Sequence, residues 1–157
     1  MKILKKYGGF IALFFGVVAI IMLFLPKAVL TSNGNAVDIN GFQTIFGTSS
    51  DAVLSITHQF NFLGFVGLLL LALGLIVPLA PLPANFKYLI GALLLLIAGI
   101  LFFVYPGTIK GVGTVLGVAT DPVNMNYKVG TPLILSGVFT LIGFAVNAVL
   151  GFFNFKR

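Results

Sequence analysis

"FNFLGFVGLLLLALGLIVPL", Phe60 to Leu79, is a run of twenty residues without a charged side chain. About 20 helical residues cross a hydrocarbon layer roughly 30 Å thick, so this stretch alone predicts a transmembrane helix. The connection that follows, "APLPANFK" from Ala80 to Lys87, is short and contains Pro81 and Pro83. It leads into a second apolar run, Tyr88 to Tyr105. Together the two runs predict a tight antiparallel helical hairpin in a membrane.

Two further apolar runs flank this hairpin, one near each end of the chain. The composition agrees with a membrane protein, because 59% of the 157 residues are hydrophobic, only 8% are charged and the mean hydropathy is +1.17. A soluble domain is about 25% charged. We therefore predict one domain over residues 1–157, a mainly α four-transmembrane-helix antiparallel bundle. Its predicted parts are spans 7–25, 60–79, 88–105 and 132–153, outer loops 26–59 and 106–131, and a short inner turn 80–87.

The first apolar run also allows a second interpretation, a cleaved signal peptide, because Lys2, Lys5 and Lys6 precede it. Signal peptides join a basic segment to about 7 to 15 apolar residues and a small-residue cleavage site. The run here is longer, and no small-x-small site directly follows Pro26. These two differences favour an uncleaved membrane anchor.

The basic residues are unevenly distributed about the four predicted spans. Six of the nine fall on the side of both termini and three on the other side, and cytoplasmic loops usually carry the excess of Lys and Arg. We therefore predict cytoplasmic termini, extracellular long loops and a cytoplasmic turn. The six are Lys2, Lys5, Lys6, Lys87, Lys156 and Arg157, and the three are Lys27, Lys110 and Lys128.

Charge and cysteine content bear on the partners and the compartment. The basic residues are scattered rather than aligned on one helix face, which argues against a nucleic-acid partner. The lipid bilayer is the partner that the composition indicates.

The chain also has no cysteine and no Asn-x-Ser/Thr site, so its outer loops lack the disulfides and glycans common on secreted proteins. We expect an integral protein of a bacterial plasma membrane.

The first long loop carries turn and strand signals. Asn33-Gly34 and Asn40-Gly41 suit tight turns, and "FQTIFG" after the second pair alternates like a strand. We predict two or three short strands in a small extracellular β-containing cap. Its exposed aromatic and aliphatic side chains suit a protein interface, and Phe42, Ile45 and Phe46 are the predicted contact residues. The alternative is that the three form the core of the cap itself.

The segment between this strand and the second span, Ser49 to Phe60, predicts a helix capped by Ser49 or Ser50 that runs into the span. The second long loop predicts one strand or a short surface segment. Within it, Gly111 to Gly117 predicts a flexible, close-packed loop, because the Gly-Lys-Ser/Thr ending of a phosphate-binding loop is missing. An isolated hairpin is marginal in water, so we expect the two long loops to pack on each other.

The spans carry small and polar residues but no Asp, Glu, Lys, Arg or His at depth, which argues against a proton-driven pump. In the fourth span, small and polar residues step by 4, 3, 4 and 4 positions and so share one helix face. We interpret this face of the fourth span as a helix-packing surface. The alternative is that its polar residues line a transport path. Spans one and four are the expected closest pair, within a chain or between chains. The stripe is Ser136, Thr140, Gly143, Asn147 and Gly151, matched in span one by Gly8, Ala12 and Gly16.

His58 is the only histidine, and we expect it to anchor a loop at the membrane boundary. No Gly-x-Ser-x-Gly motif accompanies it, and one histidine without a second His or Cys makes a poor zinc site. No catalytic, cofactor-binding or metal-binding residue is predicted, so the chain is not expected to be an enzyme. The four tyrosines fall near predicted span ends, where amphipathic rings prefer the membrane–water boundary. They are Tyr7, Tyr88, Tyr105 and Tyr127.

The layout resembles that of claudin-type tetraspan proteins over the whole chain, with inner termini, a longer β-patterned first outer loop and a short inner turn. The resemblance is one of layout, because the chain has no Trp and no Cys, and that family's first loop carries Trp-Gly-Leu-Trp and paired cysteines. It implies architecture and not function. The leading hypothesis is a non-catalytic multi-pass protein that makes protein contacts, as a homo-oligomer or an accessory subunit, through its outer loops and Gly-rich helix faces. The alternative is an oligomeric channel or small transporter subunit.

Overall fold

The computed structural model describes residues 2–48, 54–115 and 118–155, and it is mainly helical. The helices are α1 (Lys2–Met22), α2 (Gly41–Phe46), α3 (Phe62–Ile76), α4 (Ala84–Val104) and α5 (Thr131–Phe155), with 3-10 turns at Val77–Leu79 and Tyr105–Thr108. Three apolar helical segments of the described chain are long enough to cross a membrane: Phe62–Leu79, Ala84–Thr108 and Thr131–Asn154. The apolar part of α1, Tyr7–Met22, is shorter. The three long segments indicate a membrane protein.

The four long helices pack side by side as antiparallel neighbours in the order α1, α5, α4, α3. The most extensive helix pair is α4 with α5, followed by α1 with α5. The predicted contact between the first and last spans is thus present within the chain, and a Cβ at Gly143 would lie 3.6 Å from the Ala12 carbonyl oxygen. Glycines line the contact between α4 and α5: Gly99 packs against the Leu141 side chain, and a Cβ at Gly99 would lie 3.5 Å from the Gly137 carbonyl oxygen. Glycines at such positions let two helices pack closely.

The described parts of the two long connections between helices contain six short strands: β1 (Val29–Leu30), β2 (Leu54–His58), β3 (Lys110–Val115), β4 (Val118–Ala119), β5 (Val123–Asn124) and β6 (Lys128–Val129). β1 pairs with β6, and β3 pairs with β2, β4 and β5, all antiparallel. Because β1 and β2 come from the first connection and the other four from the second, the two connections are hydrogen-bonded to each other. The predicted contact between the long loops is therefore present.

The structure corrects the predicted strand at "FQTIFG", which is the short helix α2. Asn40 does not start a turn into a strand but caps this helix. Its Oδ1 accepts a hydrogen bond from the Gln43 backbone N–H at 2.8 Å, and Gln43 Oε1 accepts one from the Asn40 backbone N–H at 2.9 Å. This reciprocal capping box satisfies two backbone donors at once. The earlier pair, Asn33-Gly34, does lie in a turn, with Gly34 at φ 84°.

Two more predictions are wrong at the start of the second span and in the glycine-rich segment. Residues Leu54–His58 form strand β2 instead of a helix, and α3 begins at Phe62 after an Asn61 cap whose Oδ1 accepts from Gly64 N–H at 2.8 Å. Ser49 and Ser50, the predicted caps, lie outside the described residues. Most of Gly111 to Gly117 is strand β3, because Gly111 and Gly113 pair with His58 and Ile56.

Candidate functional site

The predicted stripe on α5 lies entirely inside the protein. Ser136, Thr140 and Asn147 have no exposed surface, and Gly143 and Gly151 are also buried. Ser136 Oγ donates to the Ala19 carbonyl oxygen of α1 at 2.9 Å, and Thr140 Oγ1 donates to the Ser136 carbonyl oxygen at 2.8 Å. The stripe therefore contributes to helix packing within one chain.

The small residues of α1 meet the same packing surface. A Cβ at Gly8 would lie 2.7 Å from Leu150 of α5, and Ala12 is buried with its carbonyl oxygen facing Gly143. Gly16 packs against Leu75 of α3. Since these glycine faces are occupied by neighbouring helices of the same chain, they are not available for contacts with another protein.

Asn147 differs from the other polar residues of the stripe. Neither its Nδ2 nor its Oδ1 has a hydrogen-bond partner among the described residues, although the side chain is fully buried. An amide without a partner in an apolar interior costs roughly 1 to 3 kcal/mol. The sequence marks this residue as the only asparagine in the middle of a span, but its lack of a partner follows from the packing alone.

His58 joins the two long connections, as the sequence led us to expect. Its Nε2 lies 2.9 Å from the Tyr127 hydroxyl and its Nδ1 lies 3.1 Å from Thr48 Oγ1. Burial lowers the pKa of His58 and raises the pKa of Tyr127, so both side chains are neutral at pH 7. Each ring nitrogen already has a structural partner, and the histidine therefore holds loops together instead of presenting a free base.

A second buried hydroxyl pair connects α2 to the end of α4. The Tyr105 hydroxyl lies 2.7 Å from Thr44 Oγ1, which itself donates to the Gly41 carbonyl oxygen at 2.6 Å. Tyr105 and Tyr127 are both buried. Their hydroxyls bond to protein groups, and the depth of these two rings at a membrane–water boundary stays a prediction.

Exposed phenylalanines cluster beside α2, where the helices meet the strands. Phe42 stacks between Phe24 and Phe46, with ring centroids 4.3 Å and 6.2 Å away, and Phe46 contacts Phe60 and Phe65. The exposed fractions are 61% for Phe24, 51% for Phe46 and 53% for Phe60. We call Phe24, Phe42, Phe46, Phe60 and Phe65 the aromatic surface.

The aromatic surface contains two of the three predicted contact residues. Phe46 is exposed and Phe42 is half-buried, whereas Ile45 is fully buried and belongs to the core. The helical form of α2 explains why Ile45 is buried and Phe46 is exposed. Ile45 faces Gly64, whereas Phe42 and Phe46 are one helical turn apart and share the outer face. Sequence reasoning missed Phe24, Phe60 and Phe65, which come from other segments of the chain.

Comparison with protein-family models, curated proteins and solved structures found no match for this chain. Among the described residues, no three His, Cys, Asp or Glu side chains come together as a metal site. The features that bear on function are thus the aromatic surface, the His58 cluster and the α5 stripe. Of these three, the aromatic surface is the one with exposed large side chains, those of Phe24, Phe46 and Phe60.

Proposed function

We propose that this chain is a non-catalytic four-span protein of a bacterial plasma membrane that contacts a second copy of itself, or another membrane protein, through the aromatic surface. The observation that carries the proposal is the exposure of Phe24, Phe46 and Phe60 in one continuous aromatic cluster. Aromatic residues are enriched at protein interfaces and dominate their binding energy. The glycine faces, our other expectation for contacts, are used within the chain.

The packing of α1 supports a fourth span. α1 runs antiparallel to α5, with Gly8 beside Leu150 at one end and Ala19 bonded to Ser136 toward the other. A helix of 21 residues is about 31 Å long. If α5 crosses the bilayer, a helix packed along it over this length lies at the same depth. The excess of basic residues near the termini supports a cytoplasmic location for both ends.

The proposal of a non-catalytic role rests on the side chains available. The predicted spans carry no Asp, Glu, Lys, Arg or His at depth, and acid–base catalysis needs a group that exchanges protons. The one histidine has Tyr127 and Thr48 on its two ring nitrogens. These observations favour a protein that binds over a protein that catalyses.

A channel or transporter subunit is the second candidate function, and the observation that favours it is the unpaired Asn147 amide. Polar groups without partners in a membrane interior often mark a functional path. Against this role, the Ser136 and Thr140 hydroxyls bond to backbone carbonyls of α1 and α5. The stripe lies in the interior of one chain, so a path along it requires the helices to separate.

The contact proposal is tested with the double variant Phe46→Ser, Phe60→Ser. Phe10→Ser, Phe152→Ser is the control, because those rings are at least as exposed as the test pair but lie on α1 and α5 away from α2. We expect the wild-type protein to associate in mild detergent and in nanodiscs. The dissociation constant of the test variant should be at least tenfold higher than that of the wild type. Loss of an interface hot-spot aromatic costs about 2 kcal/mol or more, which is roughly thirtyfold in affinity. The control should match the wild type.

Mass photometry or analytical ultracentrifugation measures the association. Equal association in the test variant and the wild type would contradict a contact role for the aromatic surface. A monomeric wild-type protein that copurifies with a membrane partner, lost only in the test variant, would support the accessory-subunit form over self-assembly. Circular dichroism of each variant checks that the helices are intact.

A further inference from the structure

The net charge of this protein belongs to segments at one end of the helix bundle. The start of α1, the start of α4 and the end of α5 meet there, because Gly8 packs on Leu150 and Gly151 packs on Leu89. Two further basic residues follow α5 directly in the sequence and lie outside the described residues. We call this part of the chain the basic end, and its basic residues are Lys2, Lys5, Lys6, Lys87, Lys156 and Arg157.

The sequence of the basic end contains no acidic residue that would balance its charge. The three acidic residues belong to the two long connections, where three lysines offset them. The six basic residues of the basic end therefore account for the whole formal net charge of +6. A group of cations without counter-charges is complementary to an anionic surface. The charged residues of the connections are Asp38, Asp51, Asp121, Lys27, Lys110 and Lys128.

Exposed aromatic rings lie at the same end of the bundle. The exposed fractions are 46% for Tyr7 of α1, 54% for Phe86 of α4 and 67% for Phe152 of α5. Lys6 precedes Tyr7 directly, and Lys87 follows Phe86. The rise of an α-helix is about 1.5 Å per residue, so each lysine is attached at nearly the same height as its neighbouring ring. Tyrosine rings and the long stems of lysine both suit the level of the lipid headgroups.

The cations of α1 and α4 belong to neighbouring helices. The Lys87 Nζ lies 5.5 Å from the centroid of the Tyr88 ring, and a Cβ at Gly9 of α1 would lie 3.4 Å from the Tyr88 hydroxyl. Gly9 follows Lys6 by three residues, which is about one helical turn. Like charges on adjacent helices repel each other, and an anion beside them offsets this repulsion.

We propose that the basic end binds the anionic phospholipid headgroups of the leaflet around it, and that the protein therefore prefers anionic to zwitterionic lipids. One lysine near an anionic leaflet contributes about fivefold in affinity. A soluble polyanion is complementary to the same charges, but it offers nothing to the exposed rings of Tyr7, Phe86 and Phe152. A leaflet is complementary to both, because its headgroups lie next to its hydrocarbon.

This inference rests on the bundle lying in a bilayer, as proposed above, but it does not rest on association through the aromatic surface. The Phe46→Ser, Phe60→Ser variant is therefore expected to bind anionic lipid as the wild type does. Loss of association with intact lipid preference, or the reverse, shows which of the two proposals fails.

The test is native mass spectrometry of the purified full chain in detergent with phosphatidylglycerol and with phosphatidylcholine of the same acyl chains. The test variant is Lys5→Gln, Lys6→Gln, Lys87→Gln, and the matched control is Lys27→Gln, Lys110→Gln, Lys128→Gln. Each variant loses three of six net charges and keeps +3, so the two differ only in where the charge is lost. The lipid is added to solubilised protein, and the result is therefore independent of the orientation in a cell.

We expect the wild type and the control to bind phosphatidylglycerol at least tenfold more tightly than phosphatidylcholine. The test variant should bind phosphatidylglycerol at least tenfold more weakly than the control does, with phosphatidylcholine unchanged. Equal affinity of the wild type for both lipids, or equal losses in the two variants, would overturn the proposal. A polyglutamate peptide that displaces phosphatidylglycerol at equal concentration would assign the basic end to a soluble acidic partner instead.

Salt gives a second measurement that needs no variant. The screening length falls from about 10 Å at 0.1 M to about 3 Å at 1 M ionic strength. The preference of the wild type for phosphatidylglycerol should therefore decrease at least threefold between these conditions, whereas binding of phosphatidylcholine should stay the same. A preference that is unaffected by salt would contradict an electrostatic contact with the headgroups.

Discussion

At the scale of single residues, His58 is a buried polar side chain with hydrogen-bond partners in both long connections. His58 joins Thr48 to Tyr127, and its ring lies 5.6 Å from the Tyr127 ring between centroids. Thr48 and Tyr127 belong to different connections, so the imidazole links two segments that are distant in the chain. The neutral form of the ring is the one that this burial favours.

The position of His58 predicts a pH-dependent stability. Burial lowers the folded-state pKa of His58 below 6.5, so between the two pKa values the unfolded chain binds more protons than the folded one. The stabilisation is therefore complete above pH 6.5 and decreases as the pH falls through that value. Thermal unfolding in detergent between pH 7.5 and 5.5 measures it, and His58→Gln should remove this pH dependence. Equal slopes for both proteins would contradict the prediction.

At Asn147 we expect a polar-to-apolar substitution to stabilise the protein, whereas the same kind of substitution at a hydrogen-bonded residue destabilises it. Because its amide has no partner, Asn147→Leu, which keeps the branching of the side chain, should raise the free energy of unfolding by about 1 to 3 kcal/mol. Ser136→Ala is the control and should lower it by about 0.6 kcal/mol, since a bonded hydroxyl is lost. Unfolding in mixed micelles measures both. A destabilised Asn147→Leu would contradict this prediction, whereas a solute flux that changes in this variant with assembly intact would favour the transport hypothesis.

At the scale of elements, α2 is the part whose form depends most on its neighbours. A six-residue helix is unstable in isolation. Here it is held by the Asn40 capping box, by the burial of Ile45 and by the hydrogen bond between the Tyr105 and Thr44 hydroxyls. The aromatic surface exists because these contacts fix which side of α2 faces outward.

A double-mutant cycle tests how α2 is attached. We expect Thr44→Val and Tyr105→Phe each to lower the free energy of unfolding by about 1 kcal/mol. The double variant should lose less than the sum, with a coupling energy of roughly 0.5 to 1.5 kcal/mol, because both substitutions remove the same bond. Chemical unfolding curves measure the four proteins. Additive effects would show that the hydroxyl pair does not attach α2 to α4.

At the scale of the whole molecule, the proposed four-span topology makes a labelling prediction. The chain has no cysteine, so single-cysteine variants report one position each. A membrane-impermeant maleimide should label Asn33→Cys in intact cells, but Ile3→Cys and Leu82→Cys only after permeabilisation. Labelling of Ile3→Cys in intact cells would place the start of α1 outside and contradict the fourth span.

The helices were predictable because hydropathy is a local property. The predicted spans 60–79, 88–105 and 132–153 lie within a few residues of the observed segments Phe62–Leu79, Ala84–Thr108 and Thr131–Asn154. The burial of Ser136, Thr140 and Asn147 also followed from their spacing on one helix face. The errors lie in the connections, where Leu54–His58 is a strand that pairs with β3, far away in the chain.

Length, hydropathy and residue spacing thus define the apolar helices and the buried face of α5, because the transfer of side chains out of water depends on each segment alone. The sequence alone could not reveal that α2 is a helix or that five phenylalanines form one surface. It also could not reveal the hydrogen bond between Tyr105 and Thr44, which are 61 positions apart. Those features depend on hydrogen bonds and ring contacts between distant segments. Such contacts exist only once the helices have packed together.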